Sequence, residues 1–216
     1  MAQMVMTGRT RCIGCLVAAL AAFEACADRT SSVGFWFDDQ ACVLRAGAMD
    51  RFGTLLTDEE RRTIRDVARA EVVEAFSQVR LDVTDDASAF WRIAVVRSLP
   101  TRTTRALPRA GESVALGILG GGGAVACDVV ARKAVAFAPL GATRPDVVQA
   151  IGRGVGRTAV HEVVHQLLGA DSGHNDADPE AYEHGSSDRL AQYYGTLHWT
   201  TSLPALQRKF GIRASS

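Results

Sequence analysis

The chain has 216 residues, of which 47% are hydrophobic, and its 24 lysines and arginines balance its 24 aspartates and glutamates. This length suits one domain with a sizeable core and excludes two ordinary domains plus a leader. Because the basic residues are scattered without a dense run, we expect no binding to nucleic acid or to an anionic membrane surface.

The N-terminus has the features of a secretory leader. Two arginines precede an apolar run from Cys12 to Phe23, and three small residues follow at positions 25–27. The run is shorter than the roughly 20 residues that cross a bilayer, so we expect no membrane span. The pattern predicts a signal peptide, residues 1–27, and one secreted or periplasmic domain, residues 28–216; the alternative is a lipoprotein anchored through Cys26.

Two cysteines follow the predicted leader, Cys42 and Cys127. An even pair in an exported chain predicts a single disulfide, which typically stabilises a fold by about 2–4 kcal/mol. Two alternatives remain open at this point. The cysteines are two buried thiols that pack as small hydrophobic groups, or Cys42 binds a metal from a short N-terminal segment.

The clearest helix follows Thr57. Thr57 and Glu60 have the spacing of a capping box, and apolar residues recur at helical intervals over residues 58–78. Two segments rich in β-branched and aromatic residues come next, and they predict strands at Val79–Val83 and Phe90–Val96.

The middle of the chain alternates between turn-forming and strand-forming segments. We predict an exposed loop at Ser98–Gly111, strands at Ser113–Leu119 and Ala134–Ala138, and an edge strand at Ala124–Val130. The glycines of Gly120–Gly123 lie between them. They have the spacing of a dinucleotide-binding loop, but we predict no helix after them and interpret them as a turn.

A second helical pattern starts at Pro145 and ends at Gly169. Three glycines at positions 152–156 weaken its first half, each by about 1 kcal/mol relative to alanine. Short helices are predicted at Asp188–Tyr194 and Pro204–Phe210. The order of these elements predicts an α+β or α/β layer architecture in which helices pack on a sheet.

All five histidines lie between positions 161 and 198. His161 and His165 are four residues apart on the predicted helix, so both imidazoles leave one face and can bind a single metal ion. Glu162 points to one side, where it can reach a metal-bound water without being a ligand. A bound zinc ion lowers the pKa of such a water to about 7, and Glu162 can then act as general base. The structural alternative is a buried helix that carries histidines.

The stretch from His161 to His174 resembles the motif of the zincin zinc metallopeptidases, and among them the matrixin-like metzincins. Their pattern is H-E-x-x-H-x-x-G-x-x-H, followed by a methionine turn. Here Gly169 arrives one residue late and His174 three residues late. All four methionines precede the motif. The sequence after the motif therefore offers no methionine for such a turn.

The resemblance implies an α+β, zincin-like single domain with a twisted mixed sheet, an antiparallel edge strand, a backing helix and an active-site helix that carries the motif. It implies Zn²⁺ bound by His161, His165 and His174. A peptide or protein substrate would pair with the edge strand, either Ala124–Val130 or Ser113–Leu119.

Other residues compete with His174 as the third ligand. A following glutamate, Glu183 or Glu180, resembles the gluzincin arrangement, while Asp176 or Asp178 resembles that of aspzincins. His184 is a further candidate. We favour His174 because a glycine-ended helix and a short loop return the chain toward the metal, and imidazole suits zinc.

The resemblance also suggests that Tyr194, or its neighbour Tyr193, donates a hydrogen bond to the transition state; the alternative is ordinary packing. We therefore expect an exported, monomeric, zinc-dependent endopeptidase with Glu162 as general base. Two alternatives are a catalytically inactive zinc-binding or adhesion module of zincin fold and a zinc amidase that acts on cell-wall peptides.

Overall fold

The computed structural model describes residues 31–44, 49, 52–53, 55–100, 109–115 and 120–214, with the Ala170 side chain excepted. The predicted signal peptide, including Cys26, lies outside these ranges, as does part of the predicted loop Ser98–Gly111. None of the described helices is long and apolar enough to cross a membrane.

One five-stranded sheet forms the centre of the fold. Its strands lie in the order β2-β1-β3-β5-β4, and all neighbours are parallel except β4, which runs antiparallel to β5 at one edge. The prediction of a mixed sheet with an antiparallel edge strand is therefore confirmed. The strands are β1 (Ser32–Phe37), β2 (Asp82–Thr84), β3 (Trp91–Val96), β4 (Gly111–Ala115) and β5 (Gly121–Ala126).

Five α-helices and one short 3-10 turn accompany the sheet, so the described chain is a mixed α+β fold. The long helix α3 packs on both α1 and the sheet, with α1 as the backing helix that the sequence predicts. The capping box of Thr57 and Glu60 is present at the start of α1. The helices are α1 (Asp58–Ala75), α2 (Cys127–Ala136), α3 (Arg144–Leu168), α4 (Ala191–Tyr194) and α5 (Ser202–Phe210), and the 3-10 turn is Gly169–Asp171.

The glycines that weaken α3 in isolation lie where it touches its neighbours. A Cβ atom added at Gly156 would lie 2.5 Å from the Ala68 carbonyl oxygen, and one at Gly152 would lie 2.7 Å from Val67 Cβ. Both contacts are with α1. The close approach of the two helices offsets the poor helix propensity of glycine, because packing rather than propensity supplies most helical stability in proteins.

Three predicted elements in the middle of the chain are wrong. The first three residues of the predicted strand Ala134–Ala138 are the end of helix α2, and the predicted edge strand Ala124–Val130 changes into that helix at Cys127. Gly121–Gly123 are not a turn but the first half of β5, which is paired with β3 and β4 on its two sides. Short apolar segments fit both periodicities, so only their tertiary partners decide between strand and helix. A helix does follow the glycines, but they lie within a sheet rather than in a phosphate-binding loop.

Glycine suits β5 because α3 passes close beneath the sheet. A Cβ atom at Gly121 would lie 2.8 Å from the Gln166 side chain. The amide group of Gln166 accepts from the Arg92 backbone N–H at 3.3 Å and donates to the Arg92 carbonyl at 3.2 Å. Gln166 thus joins the C-terminal half of α3 to strand β3.

The remaining predicted strands are confirmed in part. Phe90–Val96 corresponds to β3, whereas Val79–Val83 overlaps only with the start of β2, since Val79 forms an isolated bridge with Ile212. Ser113–Leu119 overlaps with β4, and residues 116–119 lie outside the described ranges. Strand β1 was not predicted from the sequence. Both short C-terminal helices are present, as α4 and α5.

The predicted disulfide between Cys42 and Cys127 is confirmed, with their Cα atoms 5.2 Å apart. Cys127 is the first residue of α2, so the bond ties the segment before α1 to the start of that helix. Because its sulfur is bonded covalently to that of Cys127, Cys42 is not free to bind a metal as a thiolate. The alternative of a cysteine ligand is therefore wrong.

Candidate metal centre

Three histidines converge at the C-terminal end of α3. His161 and His165 lie one helical turn apart, and their Nε2 atoms are 3.0 Å from each other. His174 approaches from the following loop, with its Nε2 atom 3.1 Å from that of His165. One nitrogen of each ring lies within 4.8 Å of those of the other two. The structure therefore brings together the three residues that the sequence favours as metal ligands.

The loop returns to the helix because α3 ends sharply. Gly169 has a φ of 58°, in the left-handed region that glycine adopts without strain. One 3-10 turn follows, and the Ser172 hydroxyl donates a hydrogen bond back to the Gly169 carbonyl at 2.5 Å. Two further residues bring His174 beside His165. The glycine and the late third histidine are thus parts of one chain reversal.

Hydrogen bonds fix the tautomers of the two helical histidines. The Tyr182 carbonyl lies 3.2 Å from His161 Nδ1 and can only accept, so His161 Nδ1 carries the proton. The Ser172 hydroxyl already donates to Gly169, so at 2.7 Å it accepts from His165 Nδ1. In neutral imidazoles this places a lone pair on each Nε2 atom.

Two lone pairs that face each other at 3.0 Å repel unless a cation lies between them. Burial lowers the pKa of His161 and of His165, which disfavours a proton as that cation. A metal ion resolves the repulsion without a protonated ring. These contacts argue against the alternative that the histidines merely pack in the core, where each ring nitrogen would have its own protein partner.

The donor set fits a divalent transition metal. Three imidazoles suit zinc, copper, iron or nickel. The second ring nitrogens of His161 and His165 are held by a carbonyl and a hydroxyl, as those of metal-bound histidines usually are. Among the described residues, no fourth histidine, cysteine, aspartate or glutamate joins the group. Three protein ligands is the number found in catalytic zinc sites, whereas structural zinc sites have four.

Glu162 lies buried beside the histidines and faces edge strand β4. Its Oε2 atom accepts a hydrogen bond of 2.7 Å from the Ser113 hydroxyl. Burial raises the pKa of Glu162, and the Ser113 hydroxyl partly opposes this shift. A Cβ atom at Gly111 would lie 2.6 Å from Glu162 Oε1, so any side chain at this position would displace the carboxylate.

Two connected depressions open on the same face. The larger is an open cleft of about 890 Å³ between β4 and the three histidines. The smaller is a cavity of about 310 Å³ that begins beside His161 and Glu162 and extends toward α2 and the segment before α4. Because Glu162 lines both, its carboxylate lies where the cavity and the cleft meet.

Glu183, the main alternative ligand, has a structural role. It is buried, and its carboxylate accepts from the backbone N–H groups of Thr200, Thr201 and Ser202 and from the Thr200 hydroxyl. Burial raises the pKa of Glu183, but the N–H groups of Ser202 and Thr201 outweigh it, so the net pKa is lowered. Glu183 therefore anchors the start of α5, and this alternative ligand does not belong to the histidine group.

The other alternative ligands also have different contacts. His184 hydrogen-bonds the backbone two residues further on, and Asp178 pairs with His198 at 2.9 Å. Asp176 accepts from the backbone at 2.8 Å, and Glu180 is exposed. None of them belongs to the histidine group.

The two tyrosines do not reach the cleft. The Tyr194 hydroxyl donates to the Ala134 carbonyl at 2.8 Å, at the end of α2. The Tyr193 ring is fully buried and stacks on Phe137. Neither lines the cleft or the cavity. The position of Tyr194 on α4 thus directs its hydroxyl toward α2 and away from the histidines.

Two serines that form hydrogen bonds with residues of the site were not predicted from the sequence. Ser172 follows the helix-ending glycine by three residues, and a hydroxyl in such a turn is a recognisable local signal. Ser113 gives no local signal, because it lies 49 positions from Glu162 and meets it only through the packing of β4 on α3.

No protein-family model matches this chain, and comparison with curated protein sequences finds none that is significantly similar.

Proposed function

We propose that this protein is a secreted or periplasmic zinc-dependent endopeptidase of zincin-like fold, with His161, His165 and His174 as zinc ligands and Glu162 as general base. The observation that carries the proposal is the convergence of three imidazole nitrogens beside a buried, lightly hydrogen-bonded glutamate. The backing helix, the mixed sheet and the antiparallel edge strand are the layout that the resemblance to zincins implies, and they support it.

Zinc held by the three imidazoles would acidify a water molecule and polarise the carbonyl of the peptide bond. Glu162 faces the same cleft, where its carboxylate can accept the proton of the attacking water and pass it to the leaving amine. The Ser113 hydroxyl orients this carboxylate.

Strand β4 supports an extended peptide as the substrate. It lies at the sheet edge and pairs only with β5 among the described strands, which leaves its outer side toward the cleft. A peptide can add to this edge as a further strand, with its scissile bond near the histidines. Of the two predicted substrate strands, Ser113–Leu119 overlaps with β4. Ala124–Val130 is not an edge strand, since β5 is paired on both sides.

Export is supported by the disulfide of Cys42 and Cys127, because such bonds persist mainly in oxidising compartments. The predicted signal peptide, residues 1–27, is consistent with it and is tested by determining the N-terminus of the protein that cells release.

Zinc content and hydrolysis of casein, measured on purified protein from the full-length chain, test the proposal. We expect about one zinc ion per chain in the wild type. Glu162→Ala should keep the zinc and lose hydrolysis, whereas His174→Ala should lose both. Full zinc and activity in His174→Ala would contradict the ligand set.

The same experiment separates the alternatives. One zinc ion without hydrolysis of any peptide would favour the inactive zinc-binding or adhesion module. Hydrolysis of cell-wall peptides but not of casein would favour the amidase. A wild-type protein that binds no metal would indicate that the histidines have a structural role.

A further inference from the structure

The cavity beside the metal centre contains a buried cation without a matching anion. Arg189 lines this cavity and is only 8% exposed. Its Nε atom donates to the Ser186 carbonyl at 3.1 Å, and its two terminal nitrogens donate to the Pro179 carbonyl and to Gln192 Oε1. All three acceptors are neutral. Among the described residues, Arg189 forms no ion pair.

The other buried arginine of this region has an acidic partner. Arg157 is 6% exposed and pairs with Glu71 at 2.8 Å. Burial, followed by the neighbouring charge of Arg157, lowers the pKa of Arg189, whereas Asp178 and Asp176 raise it from beyond the 4.0 Å range of an ion pair. A guanidinium stays charged in proteins, so Arg189 remains a desolvated positive charge.

The remaining charges of the cavity do not cancel that of Arg189. Lys133 is paired with Asp188 at 3.1 Å and with the Ser187 hydroxyl at 2.7 Å. Arg109 lines both the cavity and the cleft and has no ion pair among the described residues. Glu162 is the second carboxylate of the lining, and the proposed mechanism uses it as base.

The cavity can accept one polar side chain. At about 310 Å³ it has the volume of roughly ten water molecules. Part of its wall is the hydrogen-bonded pair of Gln192 and Thr158, which offers an apolar substrate no continuous hydrophobic surface. Glu162 lines both the cavity and the cleft. Under the proposed mechanism, a group inside the cavity therefore belongs to a residue close to the bond that is cleaved.

From this arrangement we propose that the cavity selects a substrate carboxylate, with Arg189 as the specificity-determining cation and Arg109 assisting at the junction with the cleft. The carboxylate is that of an acidic side chain beside the scissile bond or the C-terminus of the peptide. This inference rests on the proposed peptidase function and names its substrate class. A guanidinium is suited to a carboxylate because it can form two parallel hydrogen bonds.

Paired peptides test the inference on the wild-type protein. Glutamate and glutamine are placed in turn at each position around the cleaved bond, and kcat/KM is compared within each pair. We expect one position at which glutamate is preferred by about 10- to 100-fold, the range of a desolvated charge-assisted hydrogen bond. A second set, with free or amidated C-termini at that distance from the bond, distinguishes a C-terminal carboxylate from a side chain.

Variants of Arg189 test whether the cavity is the source of the preference for glutamate. Arg189→Gln should reduce the ratio to about one, and Arg189→Lys, which keeps the charge but loses the paired donors, should give an intermediate ratio. The matched control is Arg132→Gln, because Arg132 is exposed, lies next to Lys133 on α2 and does not line the cavity. The control should keep the wild-type ratio.

Binding measurements separate this inference from the proposed function. The same peptides are titrated calorimetrically into Glu162→Gln protein, with and without Arg189→Lys. Cleavage of both peptides at equal rates overturns the carboxylate pocket and leaves the peptidase. Preferential binding of the glutamate peptide without cleavage by the wild type keeps the pocket and overturns the peptidase. A preference that both Arg189 variants retain, or no preference in either assay, overturns the pocket.

Discussion

Two buried glutamates flank the three histidines, and their surroundings differ in kind. Glu183, in the segment before α4, accepts four hydrogen bonds from groups at the start of α5. Among the described residues, Glu162 on α3 accepts one side-chain hydrogen bond, from Ser113, and it lines both the cleft and the cavity. The carboxylate of Glu183 thus holds the start of α5 in place, whereas that of Glu162 remains accessible from the cleft.

This difference shows why a motif is insufficient to assign a ligand or a base. Both residues are glutamates close to the histidines in sequence, and both are buried. A carboxylate whose lone pairs are filled by backbone N–H groups is stabilised as a structural anion. One that has a single hydroxyl partner and a raised pKa is suited to proton transfer.

The largest expected effect comes from Glu162→Gln. If the proposed mechanism holds, the amide cannot accept a proton, and we expect kcat/KM to fall about 10³-fold, or roughly 4 kcal/mol of barrier. Zinc content and unfolding temperature should stay at or above the wild-type values, since the substitution removes a buried charge. Activity within a factor of ten of the wild type would contradict the assignment of the base.

The converse substitution, Glu183→Gln, should act on stability. Its amide group would present N–H donors to backbone N–H groups that need acceptors, which we expect to cost about 3 kcal/mol of unfolding free energy. Urea unfolding measures this loss, and kcat/KM of the protein that remains folded should change less than about threefold. A large loss of zinc without a loss of stability would instead make Glu183 a ligand.

A third carboxylate, that of Glu60, extends the comparison because its contribution to the stability of the fold depends on pH. Glu60 forms an ion pair with Arg144, with Oε1 2.6 Å from Nε, and the hydrogen bond from Arg144 lowers the pKa of Glu60 from 4.5 to about 2. Because the folded pKa is depressed, this stabilisation is complete above pH 4.5 and is lost as the pH falls toward 2.

We expect the pair to contribute about 1–2 kcal/mol at neutral pH, after allowance for its partial exposure. Unfolding of wild type and Glu60→Gln, followed from pH 7 to pH 2, should show a difference that disappears at the acidic end. Glu59→Gln, at a neighbouring exposed position, serves as the control. An unchanged difference at pH 2 would exclude the ion pair as its source.

The smallest effect is expected for Ser113→Ala. Loss of one hydrogen bond to Glu162 should reduce kcat/KM by about three- to tenfold, or roughly 1 kcal/mol, because the carboxylate keeps its position less well. Zinc content should not change. Ser113→Thr keeps the hydroxyl and should restore most of the activity; equal losses in both variants would indicate a packing defect in β4.

The ends of the long helices and the histidine set were predictable because their signals are local. The capping box of Thr57 and Glu60, the helix end at Gly169 and the spacing of His161 and His165 all lie within one or two helical turns. Strands were predicted less well. The backbone partners of β1, β2 and β5 are supplied by distant segments, so their own residues do not determine where pairing begins.

By itself, the sequence determined the helix that carries His161 and His165, its backing helix, the disulfide pair and the favoured third histidine, since these follow from local periodicity, capping and the small number of cysteines. Only the tertiary structure decided that Glu183 anchors α5, that Gly121–Gly123 form part of a strand and that residues 134–136 are helical. It also placed Arg189, which forms no ion pair among the described residues, in the cavity that Glu162 lines. Hydrogen bonds and ion pairs between distant segments set these outcomes, and such contacts exist only after the chain has folded.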